Sequence, residues 1–341
     1  MNQKTCIIHI GTHKTGTTSL QVFLEQNRAA LEQAGLSLPR AGRPAISPTG
    51  NHEIAWDLLV AGKSAALPLL TSELRANPVD AALLTSEDLC LLYARPNTLE
   101  MLAEAVRAAG YVPKIVVYVR AQAAYAESMY VERIKHDYIR RLGDYIDQIL
   151  RSGMYVPDSS PIHIEFRYPR LLEPFVEVFG REHVVVRPYE PGRGSAHIFN
   201  DFFQVVASNV PGFGSVPVQL AVQQPRVNES LSFAVLLTTV YQKLLPQGLP
   251  GAEPQHLLRT LMPNFSEQLL ASRFALLSRD ETLTFLRTFA PDNVKVTREF
   301  AIDVPFMTEQ DILPIDDPLW ERASVQRAIF DRLLALWMGA H

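Results

Sequence analysis

Cysteine is scarce in this chain: 341 residues contain two, Cys6 and Cys90. That excludes a disulfide-built scaffold, and no Cys/His cluster shows the spacing of a zinc site. Each cysteine lies in or beside an apolar, strand-like run, so both read as buried free thiols. An excess of basic charge is also missing. Lys and Arg number 32 against 36 Asp and Glu, a formal net charge of −4. A near-balance of this kind argues against a nucleic-acid partner, which calls for a clear basic surplus, but leaves room for a local basic pocket. Long apolar runs are absent too. No stretch approaches the ~20 residues needed to cross a bilayer. The strand-like run Thr5–Ile10 is too short for a signal-peptide core, and no small-residue cleavage site follows it. The expectation is a cytoplasmic protein with no transmembrane segment. There is no internal repeat and no low-complexity tract.

What is present is globular: 47% of residues are hydrophobic and 20% charged, enough to bury a substantial core. Four short aliphatic runs read as buried parallel strands: Cys6–Ile10, Ala82–Thr85, Ile115–Val119 and His183–Arg187. Ile162–Phe166 is a fifth candidate. Helical patterns separate them, which implies an α/β fold, a parallel β-sheet flanked by helices. The first helix is predicted over Thr17–Ala34, with Gly35 as its stop. Further helices are predicted over Glu53–Val60, Leu67–Arg75, Leu99–Ala109, Ala123–Lys135, Pro169–Phe179 and Ile198–Val206. Pro39–Gly50 reads as a loop. After about Ser208 the texture changes: Val210–Pro225 lacks periodicity. Beyond it come helical patterns at Glu229–Leu244, Leu257–Leu277, Asp280–Phe289, Asn293–Phe300 and Pro318–Trp337. The division expected is an α/β core over 1–207 and a helical region over 208–341, packed as one continuous domain.

The run from Ile7 to Leu20 is a strand, a glycine-bracketed loop and a helix start. The glycines let backbone N–H groups converge, and the helix N-terminus adds unpaired donors and partial positive charge. Lys14 adds a full charge, and Thr17 and Thr18 add hydroxyl donors. Gly11 and Gly16 have the spacing of a nucleoside-triphosphate loop, yet Thr17 stands where that loop has its lysine. Lys14 comes earlier instead. A second motif is the strand Lys114–Val119 ending in Arg120, with Ser128 eight positions on. Arg clamps a phosphate through two parallel hydrogen bonds, and a serine hydroxyl completes such a site.

These two motifs, in this order, resemble those of the P-loop sulfotransferases of bacterial type that use 3'-phosphoadenosine 5'-phosphosulfate (PAPS). The family's 5'-phosphosulfate loop is commonly Pro-Lys-[Ser/Thr]-Gly-Thr-Thr. Lys14 to Thr18 match it, with His13 in place of the proline. The resemblance implies that Gly11, Thr12, His13, Lys14, Thr15, Gly16, Thr17 and Thr18 hold the 5'-phosphosulfate. It implies that Arg120 and Ser128 hold the 3'-phosphate. Ser19 stands where the cytosolic small-molecule enzymes have an adenine-stacking Trp, so the adenine contact is unassigned. Softer likenesses extend over Tyr168–Pro191, Asn228–Ser232 and Asn293–Phe300.

The implied reaction is transfer of a sulfuryl group from PAPS to a hydroxyl or amine, releasing adenosine 3',5'-bisphosphate, with no metal. A sugar hydroxyl on a glycan or glycolipid fits the resemblance best as acceptor, with a small secondary metabolite or a protein tyrosine as the alternatives. Such transfer needs a base for the acceptor proton and a cation for the charge that builds on the leaving group. Lys14 suits the second role. Glu87, in Thr85-Ser86-Glu87-Asp88 after a strand, is the first candidate base, and His52 at a helix start is the second. Helix N-terminal capping is the plainer reading of Glu87 and Asp88. His9, inside a strand, reads as a packed core residue, and the basic cluster Arg133, Lys135, His136, Arg140 and Arg141 as a solvated helix face. The rival function is a P-loop kinase or NTPase acting on ATP, with Asp88 on Mg²⁺.

Overall fold

All seven residues of Thr5–Gly11, strand β1, are buried. Burial at every position, rather than at alternate ones, is the mark of a strand covered on both faces. In the computed structural model, which describes residues 3–45, 49–136, 140–157, 162–190, 194–210, 213, 232–244, 267–302 and 308–339, β1 is the middle strand of five. The others are β2 (Leu36–Ser37), β3 (Ala81–Thr85), β4 (Val112–Val119) and β7 (Val184–Pro188). Two strands of two residues each, β5 (Met154–Tyr155) and β6 (Ile164–Glu165), stand outside this sheet. The order is β2-β3-β1-β4-β7, and every neighbouring pair is parallel. The α/β class with a parallel sheet is therefore the architecture the chain adopts. Most described residues beyond 232 are helical.

The chain forms two compact units whose segments alternate in sequence. One gathers Met1–Arg120, Val156–Val227 and Asp292–Phe306; the other gathers Ala121–Tyr155, Asn228–Pro291 and Met307–His341. The five-stranded sheet belongs to the first. Strand side chains alternate between faces, and two cores follow. Cys6, Ile8 and Ile10 join Ile54, Leu58, Leu70, Leu102 and Phe175 on one face. Ile7 joins Leu20, Phe23, Leu24, Phe199 and Phe202 on the other. Both cysteines are free and buried, and burial pushes the Cys6 thiol up to about 12.

The first helix departs from the predicted single span. It runs as α1 (Thr17–Gln26) and α2 (Arg28–Gln33), broken at Asn27. The Asn27 side chain donates to the Phe23 carbonyl at 2.8 Å. An amide competing in this way for the i−4 carbonyl disfavours helix continuation. Helices α3 (His52–Ala61), α4 (Ala66–Ala76), α5 (Pro96–Ala108) and α6 (Gln122–Lys135) fall where the periodicity puts them. Helix α7 (Leu142–Ser152) is an addition. Helices α8 (Tyr168–Phe179), α9 (Gly194–Asn209) and α10 (Phe233–Leu244) again match the pattern. The two predicted segments Asp280–Phe289 and Asn293–Phe300 form one helix, Arg279–Glu299, through Pro291. A proline removes one N–H donor, and this helix continues past it. Of the Leu257–Leu277 prediction, residues 257–266 lie outside the described residues, and the described remainder is helical only over Glu267–Ala271, short of Leu277. Most of Val210–Pro225 and all of 228–231 also lie outside the described residues. Among the described residues no helix is long and apolar enough to cross a membrane.

His9 is a core residue, as its place within a strand implies. Its ring packs edge-on against Tyr118 and Phe202, and Nδ1 lies 2.9 Å from Thr85 Oγ1. Burial pulls its pKa from 6.5 down to about 3. Between those two values the unfolded chain binds more protons than the folded one, so stability falls as pH drops. The expected result is that replacing His9 by Phe flattens the decline in urea-unfolding free energy between about pH 6.5 and pH 3. An unchanged slope counts against a neutral buried His9.

Candidate active site

Three positions of left-handed backbone shape the loop after β1. Gly11, Lys14 and Gly16 all have positive φ, at 72°, 62° and 79°. Among the described residues, Lys14 and Ala301 are the non-glycines in that region. The conformation costs an L-residue about 1–2 kcal/mol, and such strain gathers at functional sites. Gly11 is required by close approach as well: a Cβ there would lie 2.9 Å from Glu87 Cβ and 3.0 Å from Glu87 Cα. The threonines brace the loop from within. The Thr12 N–H and hydroxyl both donate to the Tyr118 carbonyl, at 2.8 and 3.1 Å. The Thr15 hydroxyl donates to the Thr12 carbonyl at 2.5 Å, and the Thr17 hydroxyl does so at 3.4 Å. Thr18 is exposed at the helix start. Gly16 caps α1 with no side-chain hydrogen bond, and the first turn holds no acidic residue. The helix therefore presents its N-terminal partial charge uncompensated by a side chain.

On the other side of β1, Arg120 follows β4 directly. It is 6% exposed, which is not the setting of a surface ion pair. Its guanidinium Nη1 donates to the Lys14 carbonyl at 3.0 Å and stands over the Tyr189 ring at 5.6 Å. Tyr168 pins its backbone: the Arg120 N–H donates to Tyr168 Oη at 3.1 Å, and the Tyr168 hydroxyl donates to the Arg120 carbonyl. Arg120 thus holds the loop in the shape that strains Lys14. Ser128 is buried on α6, within the second unit.

The candidate bases meet beside the loop. Ser86 caps the 3₁₀ run Glu87–Ala94, its hydroxyl accepting from the Asp88 N–H. The capping is done by serine, and the two carboxylates do other things. Glu87 Oε2 accepts from Gln21 Nε2 of α1 at 2.8 Å. Asp88 accepts from His13 Nε2 on Oδ1 at 3.2 Å. On Oδ2 it accepts from His52 Nδ1 at 2.9 Å and from Trp56 Nε1 at 3.1 Å. Burial alone would raise the Asp88 carboxyl; the hydrogen bonds from His13 and His52 carry it below the usual carboxylate range instead. Burial likewise disfavours charge on both imidazoles, and the same carboxylate reverses that. The pKa of His52 lies above the ordinary value, and that of His13 well above it. Cys90 Sγ lies 3.8 Å from His13 Nδ1.

The fold therefore brings Lys14, His13, His52, Glu87 and Arg120 to the ends of three adjacent strands, the usual place for ligands in open parallel sheets. Sequence reasoning missed the shared role of Asp88, and it missed Gln21, Trp56 and Tyr168. No local spacing announces these contacts; Trp56 and Asp88 are 32 positions apart. The basic cluster is not one solvated face: Arg133 is buried, while Lys135 and His136 pair with Glu132. Among the described residues no group of three or more His, Cys, Asp or Glu is arranged to hold a metal ion.

Together these features define an α/β protein whose central strand runs into a loop with positive φ at Gly11, Lys14 and Gly16. Comparison with protein families finds no matching family model, and no curated protein matches the chain. Among solved structures it aligns with the crystal structure of a sulfotransferase from Alicyclobacillus acidocaldarius, at 16% identity and a TM-score of 0.39. The alignment covers 88% of this chain and 97% of that one.

Proposed function

We propose that this protein is a sulfotransferase that takes its sulfuryl group from PAPS and gives it to a hydroxyl, the acceptor being a carbohydrate or glycolipid. The observation that carries the reading is the position of the loop's cation. Lys14 sits at positive φ between Gly11 and Gly16, within the motif Lys14–Thr18, and Thr17 occupies the place of the nucleoside-triphosphate lysine. In this reading the loop amides and the hydroxyls of Thr17 and Thr18 hold the 5'-phosphosulfate. Lys14 stabilises the charge that develops on the leaving phosphate. Arg120 holds the 3'-phosphate. Glu87 and His52 are the candidates for the base. No metal is required, since Lys14, Arg120 and the loop amides supply the positive field. The kinase alternative is disfavoured by the engagement of Asp88, whose two oxygens already accept three N–H donors.

The expected result for Arg120→Ala is a loss of affinity for adenosine 3',5'-bisphosphate of at least ten-fold by calorimetry. Loss of one charged hydrogen-bond partner costs about 1.5–3 kcal/mol. Arg120→Lys does not restore it, because a point charge does not reproduce the fork. Unchanged bisphosphate affinity in Arg120→Ala removes the 3'-phosphate assignment.

A further inference from the structure

We propose that His52 Nε2 is the base that takes the acceptor proton, and that Asp88 is the positioning residue which sets the tautomer and orientation of His52. The inference rests on the sulfotransferase reading and deepens it. It also removes Glu87 from the catalytic step.

The argument is geometric. An ionised carboxylate accepts and does not donate, so the His52 Nδ1 at 2.9 Å from Asp88 Oδ2 carries the proton. Ser86 Oγ, also 2.9 Å from Nδ1, lies on the same edge of the ring. The Nε2 lone pair is then on the opposite edge. Among the described residues nothing hydrogen-bonds to Nε2. That edge lies against Gly50, where a Cβ would come within 2.5 Å of Nε2 and 3.0 Å of Gln21 Nε2. Glycine at this position leaves the room that the ring occupies. Asp88 itself is held in place from three directions: His13 Nε2 on one oxygen, His52 and Trp56 on the other. An imidazole whose Nδ1–H is held by a fixed carboxylate is the arrangement of a positioned general base.

The competing groups are differently disposed. Both ring nitrogens of His13 face protein partners, Asp88 and Cys90, so His13 ties the loop to the turn after β3. Glu87 is held by Gln21. The charged groups facing His52 are Asp88 and Glu87 from that turn and His13 from the loop; Asp88 and Glu87 favour its charged form, and His13 opposes it.

In the step itself, Nε2 takes the proton of the acceptor O–H as the acceptor oxygen bonds to sulfur. The bond from sulfur to the bridging oxygen breaks, and its electron pair leaves on the 5'-phosphate. The products are a sulfate ester, adenosine 3',5'-bisphosphate and an imidazolium that returns its proton to water. Because the base must start neutral, turnover rises with pH through the His52 pKa.

The test uses PAPS with water as acceptor, release of the bisphosphate as readout, and imidazole NMR on the full chain. In the wild type, NMR is expected to show His52 protonated at Nδ1 in its neutral form. His52→Gln is expected to lose about 10²- to 10⁴-fold in turnover, with bisphosphate affinity within three-fold of wild type, roughly 0.7 kcal/mol. In Asp88→Asn, the His52 NMR titration and the acid limb of the pH–rate profile both move to lower pH, a shift that a merely structural role would not produce. Glu87→Gln is expected to lose less turnover than His52→Gln and to leave the acid limb of the pH–rate profile in place. The proposal is overturned if Glu87→Gln takes the large loss, if the limb stays in place in Asp88→Asn, or if wild-type His52 is the Nε2–H tautomer. A wild-type protein that binds no bisphosphate overturns the donor reading, and this inference with it. Bisphosphate binding with an unaffected His52→Gln overturns this inference alone.

Discussion

Lys14→Ala should abolish sulfuryl transfer while leaving a folded protein that still binds adenosine 3',5'-bisphosphate. The loss expected is about 10²- to 10³-fold or more, the usual effect of removing one preorganised donor from a site where charge develops. Donor binding should fall far less, because the backbone amides, Arg120 and the helix terminus remain. A group that acts on the transition state lowers turnover more than affinity. The backbone gives a sharper version of this test. Lys14 lies at φ 62°, where glycine is free of the penalty that other residues bear. Lys14→Gly should therefore stabilise the fold by about 1 kcal/mol and be as inactive as Lys14→Ala. A more stable but inactive variant would identify strain retained for function. If Lys14→Gly is less stable than wild type, the backbone at Lys14 stores no strain; if either variant keeps turnover, Lys14 is not the cation that stabilises the leaving phosphate.

Gly11→Ala should damage both stability and donor binding. A methyl group there meets Glu87 Cβ at 2.9 Å, Glu87 Cα at 3.0 Å and Thr17 Oγ1 at 3.4 Å, at φ 72°. The first two contacts involve the backbone and Cβ of a capped turn, which cannot swing aside like a side-chain tip. The left-handed backbone costs about 1–2 kcal/mol and the overpacking about 1–3 kcal/mol more. The expected loss is about 2–5 kcal/mol by urea denaturation, with bisphosphate affinity reduced because the loop shifts away from the turn after β3. Wild-type stability in Gly11→Ala would show that the loop and this turn are not packed as described.

The sheet was readable because β1, β3, β4 and β7 are aliphatic runs between helical patterns; burial on both faces makes the runs of β1, β3 and most of β4 continuous, while β7, at the sheet edge, is buried only at Val184 and Val186. Strand β2 was not, since two residues, Leu36 and Ser37, carry no period. Helix α7 could have been found: Leu142, Tyr145, Ile146 and Ile149, all buried, follow the helical spacing. The break at Asn27 depends on a side-chain choice that the sequence leaves open. For the site, the phosphate loop was legible because local backbone geometry, through Gly11, Lys14 and Gly16, does the shaping. The group around Asp88 was not. His13, His52, Trp56 and Asp88 meet through crossovers of a parallel sheet, and Ser86 took the capping role that pattern alone would give to the acidic residues. The Arg120 clamp on Lys14 spans 106 positions and has no local signature.

The most direct test of the central claim is calorimetric titration of the wild-type protein with adenosine 3',5'-bisphosphate, beside ATP with Mg²⁺. Tight binding of the bisphosphate and weak binding of ATP are the expected result. Preference for Mg–ATP, with no response to the 3'-phosphate, would contradict it and put Asp88 at the centre of phosphoryl transfer.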